Sequence, residues 1–418
     1  MEKIYSLLFF SVMFSWTVSA QFDQVSVGTS YLNQTFYKIS DGSTSSASHD
    51  TWDIAFNVSL QGSGIWVNEG VGLAMGPPLP QVNLFLTGSS DFSNVDTTGM
   101  VQIFNYEVNW DAGAFNHVAS EANPFDLGWG SYNPGNNQVM GTRIFVIKLR
   151  NGDYKKIEIQ SLAGGVYTFR YADLDGSNEV IETCVKSNYD GTMAYYSIQN
   201  GDYADIEPTE WDMVFTRYWT ILEEGTPYLV TGVLSNEGVE VAQADGIDPM
   251  TVDHNTFADS YSDSLTIIGS DWKEFILAQF EWVLVEDRVY FVKTTESELW
   301  QIQFIDFMGS STGTTTLEKT FLTLITNIED QEGPVNSFSV FPNPATDYIN
   351  MAIELDGFTG DATYQLVNPL GQTVIYGDVS VNDGLNVKTL NIDLPSGIYI
   401  LTLNIENQVI SKQIIIGR

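Results

Sequence analysis

The sequence predicts an all-β protein made of antiparallel sheets, and three observations support this fold class. Apolar residues make up 43% and aromatic residues 13% of the 418 positions, which is enough to bury a large core. Short runs of alternating, β-branched or aromatic residues recur between turn residues, as in residues 143–149 and 156–160. Helical periodicity is scarce, and only residues 248–261 are expected to hold a short helix.

The start of the chain has the pattern of an export signal. Lys3 precedes an apolar run over residues 7–18, and the small residues just before Gln21 form a cleavage site. A transmembrane anchor is the alternative, but this run is too short to cross about 30 Å of hydrocarbon. We therefore expect residues 1–20 to be removed as a signal peptide, and we expect no transmembrane segment elsewhere.

The charge balance excludes two classes of partner. The chain carries 53 acidic and 17 basic residues, a formal net charge of −36. Phosphate backbones and anionic lipid repel such a polyanion, so nucleic acid and membrane surfaces are excluded as partners. The single cysteine, Cys184, rules out an internal disulfide framework and a thiolate zinc site.

Two long stretches of the chain repeat each other. The matching blocks, at offsets of 159, 159 and 145 residues, are 37–42 with 196–201, 52–56 with 211–215, and 143–159 with 288–304. Agreement of several blocks in the same order indicates an internal duplication. We predict one repeat over residues 21–185, a second over 186–327, and a polar linker over 328–337.

Both repeats contain a Trp-Asp-x-x-Phe motif, at residues 52–56 and 211–215. The spacing places Trp52, Ile54 and Phe56 on one face of a strand and the aspartate on the other face. Large aromatic residues on one strand face are usually core, so we favour a core role for both tryptophans over a ligand-binding role.

The predicted hairpins of the two repeats correspond as well. Asn151-Gly152 is a strong turn signal between the two strands of the first hairpin. Glu296-Ser297 stands at the corresponding turn of the second, where a different turn type is expected.

The pattern of residues 338–418 predicts a separate small β-sandwich, because short alternating strands follow one another between turn signals. This segment resembles the type A C-terminal sorting domain of the type IX secretion system of Bacteroidetes. The matching positions are Pro342, Asn343, Pro344, Gly371, Gly397 and Lys412. The resemblance implies export through the periplasm, the type IX machinery as partner, removal of the domain, and a secreted or outer cell-surface location.

Residues 22–327 resemble the HmuY-like family of the same bacteria. The resemblance is carried by the two Trp-Asp-x-x-Phe motifs and by residues 269–273, 289–293 and 309–313. It implies an all-β fold and, for its best-known members, haem held by a pair of loop histidines. The histidines of this chain are His49, expected to lie in a surface loop, and His117 and His254. For the last two a solvated loop position is favoured, and a role as metal or haem ligand is the alternative.

Three further patterns have both a structural and a functional interpretation. Residues 309–313 fit G-x-S-x-G, but a strand pattern follows where a nucleophile elbow needs a helix, so a turn is favoured. Residues 173–178 are rich in oxygen ligands, but Cys184 stands where a calcium loop needs its glutamate, so a polar turn is favoured. Five basic residues either form a solvated hairpin face, the favoured interpretation, or a seat for an anionic group such as a haem propionate: Arg143, Lys148, Arg150, Lys155 and Lys156.

These observations lead to one functional hypothesis and one alternative. The chain is expected to be an exported, non-enzymatic ligand-binding protein with no catalytic or metal-ligating residues assigned, and haem is the first ligand to test. The alternative is a structural or adhesion protein of the cell surface without a small-molecule site.

Overall fold

The described part of the chain consists almost entirely of antiparallel strands, which confirms the predicted all-β fold class. The computed structural model describes residues 20–71, 82–105, 108–120, 122–221, 225–324, 334–343, 345–368, 372–406 and 408–417. The chain divides into two compact units, Met1–Ile325 and Thr326–Arg418. The helices of the described ranges are all short 3₁₀ turns: Thr29–Tyr31, His49–Thr51, Ala114–Asn116, Lys186–Asn188, His254–Ser260 and Gly309–Ser311. None of them has the length and apolar character that a membrane crossing would need.

The first unit contains the strands of both predicted repeats. Numbered β1 to β23 in chain order, they are Gln21–Ser26, Asn33–Tyr37, Thr44–Ser48, Ile54–Asn57, Ile65–Val67, Asn83–Leu86, Val101–Ile103, Gly130–Asn133, Gln138–Gly141, Phe145–Lys148, Tyr154–Ala163, Val166–Asp173, Val180–Val185, Met193–Ser197, Asp202–Ala204, Met213–Ile221, Pro227–Ser235, Glu240–Asp245, Lys273–Ile276, Glu281–Leu284, Arg288–Lys293, Glu298–Phe307 and Thr314–Leu324. The predicted short helix is present as the 3₁₀ segment His254–Ser260.

Four of the sheets in this unit form two equivalent pairs. The outer sheets have the strand orders β13-β12-β11-β10-β6-β7 (joined by β8 and β9) and β1-β23-β22-β21-β18. The inner sheets have the orders β15-β14-β4-β5 and β3-β2-β16-β17. A separate two-stranded sheet joins β19 to β20.

The two repeats exchange strands in the inner sheets. Tyr37 of the first repeat pairs with Met213 of the second, and Tyr196 of the second pairs with Ile54 of the first. Since Tyr37 and Ile54 correspond to Tyr196 and Met213 at the offset of 159, the two pairings are the same contact made twice. Each inner sheet is therefore completed by the other repeat.

Backbone hydrogen bonds of the motif aspartates join the exchanged strands. The backbone N–H groups of Asp53 and Asp212 donate to the carbonyls of Tyr196 and Tyr37, each at 2.9 Å. In both repeats an asparagine from a nearby segment also hydrogen-bonds to the backbone of the motif tryptophan. The side-chain amides of Asn68 and Asn236 donate at 2.8 Å to the carbonyl oxygens of the two motif tryptophans.

Three apolar clusters lie between successive sheets. One contains Ile54 and Phe56 with residues of the first outer sheet, and another contains Met213 and Phe215 with residues of the second outer sheet. A central cluster lies between the inner sheets and contains Trp52, Trp211 and their neighbours. Both motif tryptophans are buried in this cluster, as a core position requires.

The expectation that Trp52 shares a strand face with Ile54 and Phe56 is wrong. Trp52 packs in the central cluster with Ala55, whereas Ile54 and Phe56 pack on the opposite side of the sheet. The physical reason is that β4 begins only at Ile54, so the two-residue alternation does not extend back to the tryptophan.

The predicted hairpins are present in both outer sheets. β10 pairs with β11 around Gly152, whose φ of 90° suits the predicted turn. β21 pairs with β22 around Ser297, which has a φ of 61°. The two turns thus have different residues but connect equivalent pairs of antiparallel strands.

The second unit is a two-sheet sandwich. Its strands, β24 to β30, are Val335–Phe341, Tyr348–Leu355, Gly360–Val367, Thr373–Val381, Gly384–Asn391, Gly397–Ile405 and Gln408–Ile416. The sheet orders are β24-β25-β28 and β27-β26-β29-β30, and alternate residues of both sheets fill one shared core. Of the predicted linker, residues 328–333 lie outside the described ranges, while β24 begins at Val335.

Candidate functional site

A cavity of about 40 Å³ lies between the two inner sheets, within the central cluster. Its described lining comes from β2, β4, β5, β14, β16 and β17 and from the segments around Trp52 and Asn105. Every one of these lining side chains is buried. At roughly 10–15 Å³ for each water, the space holds about three waters or a molecule of three or four non-hydrogen atoms.

Corresponding positions of the two repeats face each other across this cavity. Three such pairs contribute to the lining: Gln34 with Met193 and Ala55 with Val214, both at the offset of 159, and Trp66 with Leu234, which pair with Ala55 and Val214 in the two inner sheets. In the first and third pairs, the side chain that can form hydrogen bonds belongs to the first repeat and the aliphatic side chain to the second. The duplicated fold therefore does not itself require a polar lining, because the second repeat fills the equivalent positions with apolar groups.

His49 is the clearest polar group on the cavity wall. It is 3% exposed, and neither imidazole nitrogen makes a hydrogen bond of good geometry within the described residues, although the backbone of Asn33 lies close enough to act on its pKa. Burial lowers the pKa of His49 to about 3, and the nearby Arg217 guanidinium acts in the same direction, so the ring is neutral at physiological pH. The prediction that His49 is a surface loop residue is wrong, because the short 3₁₀ turn that carries it folds inward.

The position of the His49 ring depends on the absence of a side chain at residue 70. A Cβ on Gly70 would lie 2.1 Å from both Nδ1 and Cε1 of His49. The backbone N–H of Gly70 donates to the side-chain oxygen of Asn68 at 3.1 Å, which holds the glycine against the ring. The sequence contains no local pattern that connects residues 49 and 70.

The three tryptophans that line the cavity differ in how their indole N–H groups are used. Nε1 of Trp66 donates to the carbonyl of Trp110 at 2.9 Å, and Nε1 of Trp110 donates to the carbonyl of Ser235 at 3.0 Å. Nε1 of Trp52 is buried and has no partner among the described residues. A buried donor without a partner costs about 1–3 kcal/mol, which a bound acceptor would recover.

The motif tryptophan of the second repeat offers a direct comparison. Trp52 meets the ring of Tyr195 edge-on at 5.0 Å, and Trp211 meets Phe36 in the corresponding way at 5.1 Å. Nε1 of Trp211, however, donates to the carboxylate of Glu207 at 2.8 Å. The two residues are equivalent in packing and differ in hydrogen bonding.

Two charged groups also line the cavity. Arg217 on β16 is 3% exposed, and burial lowers its pKa to about 10, so it stays cationic at neutral pH. Its Nη1 donates to the carbonyl of Gly70 at 3.3 Å. The carboxylate of Glu69 accepts the backbone N–H groups of Asn105 at 2.8 Å and Trp219 at 3.1 Å.

The other two histidines lie on different elements from His49. His117 follows the 3₁₀ helix Ala114–Asn116, and its Nδ1 is 3.0 Å from the carbonyl oxygen of Phe104. His254 begins the 3₁₀ helix His254–Ser260 and lies edge-on to Phe291 at 6.2 Å. Neither lines the cavity, and among the described residues no group of three or more His, Cys, Asp or Glu side chains is placed to hold a metal.

The basic hairpin is largely neutralised by partners within the chain. Its ion pairs are Arg143 with Asp126, Arg150 with Asp53, and Lys155 with Asp173. Lys156 is 1% exposed, with its amine 4.8 Å from the ring centre of Phe92. The favoured interpretation, a solvated face, is therefore wrong for Arg150 and Lys156, which are buried because the aspartate and the phenylalanine ring reach them from other segments. The alternative, a binding site for an anionic group, is weakened because three of the five cations are already paired with aspartates of the chain.

The two loops with possible catalytic or metal-binding patterns are turns, as favoured from the sequence. Gly309–Ser311 is a 3₁₀ turn that leads directly into β23. At residues 173–178, the carboxylate of Asp173 accepts the side chains of Ser177 and Asn178, and Gly176 has a φ of 90°. Side chains of the chain itself satisfy the oxygen atoms of this loop.

The sorting-signal positions converge on the last strand of the second unit. The side-chain oxygen of Asn343 accepts the backbone N–H of Ile415 at 2.8 Å, and Gly397 pairs with Ile416. Lys412 is exposed further along the same strand, and Pro342 is exposed beside Asn343. Pro344 and Gly371 lie outside the described residues.

Comparison with known families identifies this second unit. Residues 339–417 match the family described as the secretion system C-terminal sorting domain. The match covers less than a fifth of the chain, and it concerns the sandwich unit alone. The C-terminal unit is thus a type IX sorting domain, which indicates export to the cell surface or the medium.

Comparisons of the whole chain add little. No curated protein matches it. The crystal structure of apo PinO from Porphyromonas gingivitis is similar over 74% of this chain and 100% of that chain, at 8% identity and a TM-score of 0.24. That of dimeric latent PorU from Porphyromonas gingivalis is similar over 80% of this chain and 29% of that chain, at 8% identity and a TM-score of 0.17. The chain thus spans under a third of PorU, and at these scores neither structure carries an argument about fold or function.

Proposed function

We propose that the first unit is a non-enzymatic passenger that the type IX machinery carries to the cell surface or the medium, and that it binds a small ligand between its two repeats. One observation carries the binding proposal. The buried cavity presents the indole N–H of Trp52, which has no partner among the described residues, at a position where a fold built only for stability would satisfy or replace it.

The non-enzymatic character is supported by the state of the titratable groups in this cavity. A general acid or base works best with a pKa near the working pH. The pKa of His49 is about 3 and that of Arg217 about 10, so neither exchanges protons readily near pH 7. Both groups suit the holding of a ligand better than proton transfer.

The HmuY-like resemblance of the passenger remains a prediction, and haem is the ligand it would imply. The cavity volume of about 40 Å³ holds only about three or four non-hydrogen atoms, so a haem bound here would have to lie largely outside it. Titration of the mature protein with oxidised and reduced haemin tests this. We expect no stoichiometric Soret shift. A sharp shift that is lost in His117→Ala or His254→Ala would replace the cavity with a haem site elsewhere.

The export proposal also includes a periplasmic stage, with residues 1–20 removed first and the sorting domain removed at the outer membrane. Intact mass of the exported protein tests both cleavages: we expect it to start at Gln21 and to end before residue 338. An exported mass that includes residues 338–418 would contradict removal of the sorting domain.

Deletion of residues 334–418 tests the role of the tail directly. The shortened chain should accumulate inside the cell envelope, since the machinery has no signal to recognise. Tryptophan fluorescence is the control for folding, because every tryptophan of the mature chain lies in the first unit. A folded, shortened chain found outside the cells at normal yield would refute the sorting role.

A surface structural or adhesion role without a small-molecule site is the remaining alternative. It requires the cavity to hold only water. Titration of small ligands followed by the indole N–H resonance of Trp52 separates this case from ligand binding.

A further inference from the structure

We propose that the cavity between the repeats binds a small planar oxyanion, of the size of formate, acetate or nitrate. This inference rests on the proposed binding function and names the ligand class for it. It follows from the space available, the hydrogen-bonding character of the lining and the asymmetry between the two repeats.

The first argument is size. The cavity volume of about 40 Å³ admits a molecule of about three or four non-hydrogen atoms. Formate, acetate and nitrate fall in this range. Sugars, nucleotides and porphyrins do not.

The second argument is the excess of hydrogen-bond donors. Trp52 offers an indole N–H without a partner among the described residues, and Arg217, whose Nη1 donates to the carbonyl of Gly70, adds a cationic guanidinium to the same cavity. The main acceptor on the wall, the carboxylate of Glu69, already accepts two backbone N–H groups. A guest made mainly of acceptor atoms fits this lining best, and a planar oxyanion matches the planar guanidinium.

The third argument is rigidity. The rings of Trp66 and Trp110 are held by hydrogen bonds from their indole nitrogens to backbone carbonyls. Gly70 and Asn68 fix the space that the His49 ring occupies. Binding therefore requires little ordering of the protein, which favours useful affinity for a very small ligand.

The fourth argument is that the duplicated halves differ where the ligand would sit. At the equivalent positions, Gln34 faces Met193, and Trp66 faces Leu234. The donor of Trp52 is open to the cavity, while that of its counterpart Trp211 is used by Glu207. The unpartnered indole N–H belongs to the first repeat and the guanidinium of Arg217 to the second, so the two repeats contribute different polar groups to the cavity.

The test follows the indole N–H resonances of the full mature protein labelled with ¹⁵N at tryptophan. Trp52→Phe identifies the resonance of Trp52. Sodium formate, sodium acetate and sodium nitrate are titrated against sodium chloride at equal ionic strength, with urea and acetamide as neutral probes of similar shape. We expect a saturable shift of the Trp52 resonance with the oxyanions alone.

A matched pair of variants then measures the role of the free donor. Trp52→Phe keeps an aromatic ring and should weaken oxyanion binding about tenfold, the effect of losing one hydrogen bond to a charged ligand. Trp211→Phe makes the same change at the repeat-equivalent site, whose donor faces Glu207, and should keep the wild-type affinity. Equal weakening by both variants would refute the role assigned to Trp52.

The remaining outcomes separate the two proposals. A saturable response to urea or acetamide but not to the oxyanions would overturn the ligand class and leave the binding function standing. A response to chloride equal to that of the oxyanions would also overturn the ligand class. No response of the Trp52 resonance to any probe would mean that the cavity holds only water, and both proposals would fail.

Discussion

The two motif aspartates occupy equivalent positions in the repeats, yet the structure predicts opposite effects when each is replaced by asparagine. Asp53 is fully buried, and its carboxylate accepts Nε of Arg150 at 2.9 Å and the backbone N–H of Gln199 at 2.9 Å. Asp212 is also buried, but its carboxylate accepts the backbone N–H of Ile39 at 2.7 Å, and no arginine occupies the place of Arg150. At the offset of 145 the counterpart of Arg150 is Thr295.

Asp53→Asn should be strongly destabilising. The change leaves the guanidinium of Arg150, which is 7% exposed, without its counter-charge. Breaking a buried ion pair from one side costs about 3–5 kcal/mol. We expect a loss of this size in the free energy of unfolding at pH 7.

Asp212→Asn should be neutral or stabilising at pH 7. Burial raises the pKa of Asp212 to about 6, against the lowering effect of the Ile39 N–H, and Glu296 adds to the rise. Between the ordinary value of 3.8 and about 6 the folded state holds a proton that the unfolded state has lost, so stability falls as pH rises through this window. The shift corresponds to up to about 3 kcal/mol at pH 7. Asparagine cannot ionise, so the variant should lack this fall.

Urea unfolding of the mature protein, followed by tryptophan fluorescence at pH 4 to 8, measures both effects in the first unit. Of the ten tryptophans, Trp16 precedes the cleavage site and the other nine lie between Trp52 and Trp300. Equal destabilisation by the two substitutions at pH 7 would refute the reasoning. So would an Asp212→Asn variant whose stability changes with pH as the wild type does between pH 4 and 6.

Three further predictions concern the cavity and the tail. Trp52→Phe should destabilise the protein by about 1–3 kcal/mol less than Trp211→Phe in urea unfolding, because only the second loses an indole hydrogen bond, and equal losses would contradict this. Gly70→Ala should lower the thermal midpoint by displacing the buried histidine ring, whereas Gly88→Ala, where an added Cβ meets nothing within 4 Å, should not; similar midpoints would rule out the tight contact. Asn343→Ala should lower the exported fraction by weakening the tie to the last strand, without changing the unfolding of the passenger, and an unchanged exported fraction would count against this link.

Features that depend on neighbouring residues were predictable from the sequence. Alternation and turn residues predicted the hairpins around Gly152 and Ser297, because both signals act over a few residues. The short alternating strands expected over residues 338–418 are present as well, and Tyr399, Leu401 and Leu403 of one of them are all buried in the sandwich core. The sorting domain was recognisable because its motif positions recur at a fixed spacing.

The duplication was visible in the sequence, but its structural meaning was not. Matching residues at an offset of 159 show that two segments share an ancestor or a fold. They do not show that the strand of Tyr37 pairs with the second repeat and that of Tyr196 with the first. Strand exchange depends on which edges meet in three dimensions, and either repeat could have paired with itself without any change in periodicity.

The sequence by itself therefore determined the all-β class, the hairpins, the duplication and the sorting tail, since each rests on local patterns or on spacing. Only the tertiary structure decided the burial of His49, the partner of Arg150 and the different uses of Trp52 and Trp211. These properties arise from contacts between residues far apart in the chain. Burial, charge pairing and hydrogen-bond satisfaction are set by such contacts, and the candidate site is composed of them.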